Sequence, residues 1–206
     1  MYLEYCNYNR HIENYSEELK KVFSAIDYGV QGLNLPVHMI KETREYMPKD
    51  LLMSAPIDYP MGHSSSKVKY NMVINSLKSG ANAIDYVPNH YFLKNKFSLL
   101  VEEIEAILNI CKDYDASCRL FLDHNNSDAI TVTSKIYDSL GINSFFPSLG
   151  YHHEDFFDNL INCAMLEQES YVFSIFNGQM WRKEQVKTVM DSSIFGLRVY
   201  NLSLLV

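Results

Sequence analysis

The 206-residue chain has no Cys-x-x-Cys pair, no basic cluster longer than two adjacent residues, and no apolar run approaching the length of a membrane span. Each absence removes a class of function. Its four cysteines (Cys6, Cys111, Cys118 and Cys163) also lack zinc-ribbon spacing, which fits free thiols in a reducing compartment. A formal net charge of -7 without a basic stretch leaves no footprint for a nucleic-acid backbone. No membrane partner is expected either. The opening MYLEYCNYNRHIENYSEELKK shows no basic-then-apolar order of a signal segment, so a cytoplasmic protein is expected. What the chain does have is 47% hydrophobic and 13% aromatic residues, enough for a sizeable core, and residues 1–206 read as one domain.

The segment Leu51–Asn89 organises the reading. An apolar run, Leu51 to Ile57, ends in the turn Asp58-Tyr59-Pro60-Met61-Gly62. A helical pattern from about Ser65 to Ser79 follows, with Val68, Met72, Val73 and Leu77 at helical spacing, and Gly80 stops it. A second apolar run, Ala83 to Val87, carries the single carboxylate Asp85. A crossover of that length demands parallel strands. A carboxylate inside a buried strand is costly unless paired or functional.

The rest of the chain repeats this unit. Strands are expected at Met1–Tyr8, Val30–Leu35, Arg119–Asp123, Ile142–Phe146, Tyr171–Phe176 and Ile194–Tyr200. Between them, helices are expected after the N-cap Ser16, over Val37–Tyr46 behind Pro36, over Phe97–Tyr114, from Asp128 to Leu140, over Glu154–Leu166 and over Trp181–Ser192. Eight strands alternating with seven helices make an α/β protein of the (β/α)8 TIM-barrel class. The barrel is expected to be short and without a complete final helix. The flank left open after Tyr200 would expose apolar surface, so a homodimer is expected.

Several motifs resemble the deoxyribose-phosphate aldolase (DeoC-like class I aldolase) family. The turn Asp58-Tyr59-Pro60-Met61-Gly62 is similar to that family's G-F-P-L-G. Gly80-Ala81-Asn82-Ala83-Ile84-Asp85-Tyr86-Val87-Pro88-Asn89 is similar to its G-A-D-E-I-D-M-V-x-N, and Val101-Glu102-Glu103-Ile104-Glu105-Ala106-Ile107 to its following helix. The resemblance implies that Asp85 stands at the family's proton-transferring aspartate. It also implies a Schiff-base lysine on the sixth strand, in F-V-K-T-S-T-G, and a second lysine on the seventh. Here the sixth-strand stretch reads Ser144-Phe145-Phe146-Pro147-Ser148-Leu149-Gly150, with Phe146 in the lysine's place, and the seventh reads Ser174-Ile175-Phe176-Asn177-Gly178. A phenyl ring cannot form an imine.

In a barrel of this class, functional groups project from the C-terminal strand ends. Asp85, Asp123, His124 and His63 are the candidate acid–base residues; Asn7, Asp58, Asn89, Ser148, Gly150, Asn177 and Gly178 are candidate substrate contacts. Arg10, Asn34, His152, Tyr200 and Asn201 fall at the same rim. Asp85 and Asp123 each have a structural alternative, pairing with Arg119 or Arg198. His152-His153-Glu154-Asp155 reads more simply as a polar loop capping a helix than as a metal site, and neither metal nor cofactor is expected. Three functions remain. One is an aldolase-like lyase acting without a Schiff base on a small hydroxylated or phosphorylated substrate. The second is an inactive homologue serving as a ligand- or protein-binding module. The third is a metal-dependent aldolase or isomerase of the class II type.

Overall fold

The computed structural model describes residues 1–7, 14–122, 127–150, 155–168, 172–177 and 182–206, and at 90, 93–94 and 127–132 the backbone alone. Eight strands, all parallel, close into one barrel in sequence order. They are β1 Tyr2–Cys6, β2 Gly32–Asn34, β3 Leu52–Ile57, β4 Ala83–Tyr86, β5 Ser117–Phe121, β6 Ser144–Phe146, β7 Phe173–Phe176 and β8 Gly196–Val199. β8 returns to pair with β1, Glu4 lying opposite Arg198.

The helices fall where the apolar periodicity places them, with local differences. α1 (Tyr15–Ser24) is capped by Asn14, whose Oδ1 accepts from the Glu17 N–H, rather than by Ser16. α2 (Val37–Thr43) continues as a 3-10 turn to Tyr46. α3 spans Ser66–Lys78. A short α4 (His90–Asn95), started by the Asn89 side chain, stands in a stretch expected as loop. α5 (Phe97–Asp113) buries Leu100, Ile104, Ile107 and Cys111 as its period requires, and with them Glu103. α6 (Ser127–Ser139) begins one residue before Asp128. α7 (Phe156–Glu167) is capped by Asp155, which accepts from Phe157 and Asp158 N–H groups. α8 spans Lys183–Met190. After β8 there is no helix of the α type; a 3-10 turn, Leu202–Leu205, lays Leu202 into the core. Among the described residues no helix is long and apolar enough to cross a membrane.

Strand alternation splits the apolar residues into two layers. Tyr5, Leu33, Met53, Ala55, Ile84, Tyr86, Leu120, Phe145, Phe176 and Leu197 face outward into the cluster shared with the helices. At roughly 1.5–3 kcal/mol for each such side chain buried, this layer is the main stabilising term. The opposite parity faces into the barrel. There Val87, Phe121, Phe146 and Ile175 form a second, smaller cluster. Gly32 also faces inward, and a Cβ at that position would overlap the Tyr2 hydroxyl. That close approach is why a glycine sits inside β2.

Candidate functional site

Four strands carry one charged residue each at an inward position: Glu4 on β1, Asp85 on β4, Arg119 on β5 and Arg198 on β8. Glu4, Asp85 and Arg198 each lie between large apolar neighbours, and Arg119 between Cys118 and Leu120, so the strand must bury the charge to bury the neighbours. All four are at most 4% exposed. They satisfy one another. Arg119 Nε donates to Asp85 Oδ1 at 2.7 Å and its Nη2 to Glu4 Oε1 at 2.8 Å. Arg198 Nε donates to Glu4 Oε2 at 2.8 Å, and its Nη2 donates to Asp85 Oδ2. Asn34 Nδ2, at 2.7 Å, and the Ser54 hydroxyl, at 3.1 Å, complete the Asp85 carboxylate. The Tyr2 hydroxyl donates to Glu4 Oε1 at 3.2 Å from below. With two carboxylates and two guanidiniums, the quartet carries no net charge.

Phe146 closes this quartet toward the mouth. The Arg198 guanidinium lies 4.0 Å from the centre of its ring and that of Arg119 5.1 Å away. A cation over an aromatic face in a desolvated site is attracted by the ring quadrupole. Phe121 stacks on Phe146 with centroids 4.6 Å apart, and Tyr59 packs on Phe121 at 5.5 Å. The Tyr59 hydroxyl then donates across the mouth to the Leu149 carbonyl at 2.6 Å. Phe146 and Phe121 are at most 1% exposed.

At the ends of β6, β7 and β8, Ser148, Gly150, Asn177 and Tyr200 come together. The Gly150 N–H donates to Ser148 Oγ at 2.9 Å, Asn177 Nδ2 donates to the Ser148 carbonyl at 2.9 Å, and the Tyr200 hydroxyl donates to Asn177 Oδ1. Gly150 has φ of +66°, and a Cβ there would press on Tyr200 and Asn177. These donors serve the rim itself.

The remaining candidates lie apart. Asp58, in the left-handed region at φ 57°, accepts from the Ser64 N–H at 2.7 Å and the Ser64 hydroxyl at 2.6 Å, closing the turn after β3. His63 is exposed on that turn. Asn89 starts α4, its Oδ1 accepting from the Tyr91 N–H at 3.1 Å. Asn7 faces outward, donating to Glu18 Oε2 of α1 at 2.8 Å; among the described residues its own Oδ1 has no partner. Asp123, His124 and Gly178, with Arg10 and His152, lie outside the described residues.

One polar cluster had no forecast. Lys69, fully buried behind the β4 wall, reaches Glu103 Oε1 at 3.0 Å, the Tyr86 hydroxyl at 3.4 Å and Asp58 Oδ2 at 3.7 Å. The Ser66 hydroxyl donates to Glu103 Oε2 at 2.5 Å, and Tyr86 donates to Glu103 Oε1. Burial, and then the Glu103 charge and hydrogen bond, push the Tyr86 phenol well above its ordinary 10.0. The signal for this cluster was Glu103 on the apolar face of α5.

Burial by itself raises the Glu4 carboxyl, but Arg119 and Arg198 outweigh it and hold the group below its ordinary 4.5. A carboxylate whose folded-state pKa is depressed contributes stability that is fully present above its unfolded pKa and is lost as pH falls through the folded one. Urea unfolding at stepped pH should therefore show stability falling below about pH 4.5, where the unfolded chain begins to bind protons first. The slope should be smaller in Glu4→Gln. Equal slopes in parent and variant would show that Glu4 is not part of the acid response.

No protein-family model matches the chain. Among curated proteins, the deoxyribose-phosphate aldolases of Streptococcus pyogenes and Streptococcus agalactiae are each 31% identical to it over 91 residues, which is 44% of this chain and 41% of theirs. The chain thus matches less than half the length of these relatives. Over the whole fold, the deoxyribose phosphate aldolase of Aeropyrum pernix superposes with a TM-score of 0.83 at 16% identity, covering 98% of this chain and 87% of the other. Over those 91 residues the chain is similar in sequence to the deoxyribose-phosphate aldolases, and it shares their barrel fold. That relation gives the interior a reference. Phe146, which the sequence resemblance sets against the sixth-strand lysine, is covered by Phe121 and bracketed by two arginines. Asp85, which the same resemblance sets against the family's aspartate, has four donors on its two oxygens.

Proposed function

We propose that the chain is a catalytically inactive aldolase homologue that serves as a ligand- or protein-binding module. The observation that carries this reading is Phe146: the residue that the resemblance sets against the imine-forming lysine is a fully buried ring with a guanidinium on its face. Three further features support it. Asp85 has both oxygens engaged and would have to leave two arginines to exchange a proton with a substrate. The aromatic stack of Tyr59, Phe121 and Phe146 fills the path from the mouth to that carboxylate. The rim donors of Ser148, Gly150, Asn177 and Tyr200 bind one another where a phosphate would need them. Of the described lysines near the mouth, Lys67 is exposed on α3 and Lys69 is turned away from the barrel interior. The name shared by the curated relatives makes 2-deoxyribose 5-phosphate the ligand to try first.

The test is borohydride trapping with acetaldehyde and, separately, with 2-deoxyribose 5-phosphate, read by intact mass. The expected result is an unmodified chain and no aldehyde released from the sugar phosphate. An adduct on any lysine would place an imine-forming amine in this barrel and overturn the reading.

A further inference from the structure

At the N-terminal end of the barrel, far along the fold from the mouth, two cysteines border the same cleft. Cys111 is on the last buried turn of α5. Its carbonyl accepts from the N–H groups of Tyr114, at 3.1 Å, and Ala116, at 2.9 Å, so the chain turns back sharply. Asp115 takes the left-handed conformation at φ 53° to allow it. β5 then begins at Ser117. Arg119 points into the barrel, so Cys118 points the other way, toward α5 and the cluster that holds Cys111. Both cysteines line one cleft of about 510 Å³, with Lys112, Asp115, Asn143 and Ser144. Cys118 is half-buried there, which gives a small molecule access to the pair. Of the four cysteines only Cys118 is not fully buried; Cys6, Cys111 and Cys163 are each at most 2% exposed.

We propose that Cys111 and Cys118 form a dithiol modification site that closes to an intramolecular disulfide on exchange with a small disulfide. One thiolate attacks a sulfur of the reagent, releasing one reagent thiol. The second protein thiolate then displaces the other reagent thiol from the mixed disulfide. In balance, two protein thiols and one small disulfide give one protein disulfide and two small thiols. The loop to be closed is short and already folded back on itself, so the backbone arrangement that a disulfide requires is largely in place. The bond would fasten the end of α5 to β5 one residue before Arg119, and so would brace the strand that holds Asp85 and Glu4. Contact with the Cys111 thiol, and then burial, push the Cys118 thiol well above its ordinary 9.0, so the exchange is slow and calls for excess oxidant.

The experiment incubates the folded full chain with excess glutathione disulfide, alkylates the remaining thiols under denaturing conditions, and reads intact mass and peptide map. The expected product has two alkylations fewer than the reduced chain, a bridged peptide containing residues 111 and 118, full reversal by dithiothreitol, and a melting temperature raised by about 5 °C. Cys118→Ser should lose the bridge, while Cys163→Ser should keep it. Both thiols still alkylated after long incubation, or glutathione retained on one of them without a bridge, would overturn the proposal.

Discussion

Asp85→Ala should lower the unfolding free energy by about 3–5 kcal/mol, measured by urea denaturation at pH 7. The reason lies in what the substitution leaves behind. Arg119 and Arg198 are at most 4% exposed and would face only Glu4, so the interior would hold one uncompensated positive charge. Desolvating a guanidinium costs several kcal/mol, and the missing carboxylate is what offset that cost. Asn34 and Ser54 would lose their acceptor as well. Pairing the change with Arg119→Met, which restores charge balance, should recover part of the loss, and that non-additivity is the signature of a coupled network. A single variant within about 1 kcal/mol of the parent would mean that Asp85 is not held as described. The result also bears on the origin of the site. An aspartate kept for proton transfer tolerates truncation with its fold intact, whereas an aspartate absorbed into a structural quartet does not.

Phe146→Ala should cost about 3–5 kcal/mol by loss of buried ring and creation of a cavity. The cavity cannot collapse cheaply, because its walls are a stacked ring on one side and two ion-paired guanidiniums on the other. The arginines also lose their aromatic face, which adds to the cost. Phe146→Leu should fall well short of this, since it keeps most of the volume. If the alanine variant is as stable as the parent in urea at pH 7, the ring is not a closure of the interior, and the case for an inactive barrel loses its main support.

The barrel itself was legible because its signal is local. Apolar runs of strand length alternate with helical periods, and glycine or proline marks the ends, so order and parallel direction follow from spacing alone. Errors stayed at boundaries and caps: Asn14 instead of Ser16, α4 in an expected loop, β5 starting at Ser117. The site was legible only in part. Asp85 was found as a buried carboxylate, with Arg119 and Arg198 as possible partners. Glu4 is not among the expected site residues, although Leu3-Glu4-Tyr5 has the same form as Ile84-Asp85-Tyr86. Four strands with one central charge each, two acidic and two basic, was the available pattern.

The amino-acid order alone carries the element order, the barrel class and the presence of Phe146 on the sixth strand, a residue that cannot be an amine in any fold. What only the tertiary structure decided was the fate of the charges. Arg119 is 115 residues from Glu4, and Arg198 is 113 residues from Asp85. No periodicity relates such positions. Closing β8 onto β1 brings them within 3 Å of each other, in a space from which water is excluded. There, pairing becomes obligatory, because an unpaired ion in that medium would cost more than the barrel could offset.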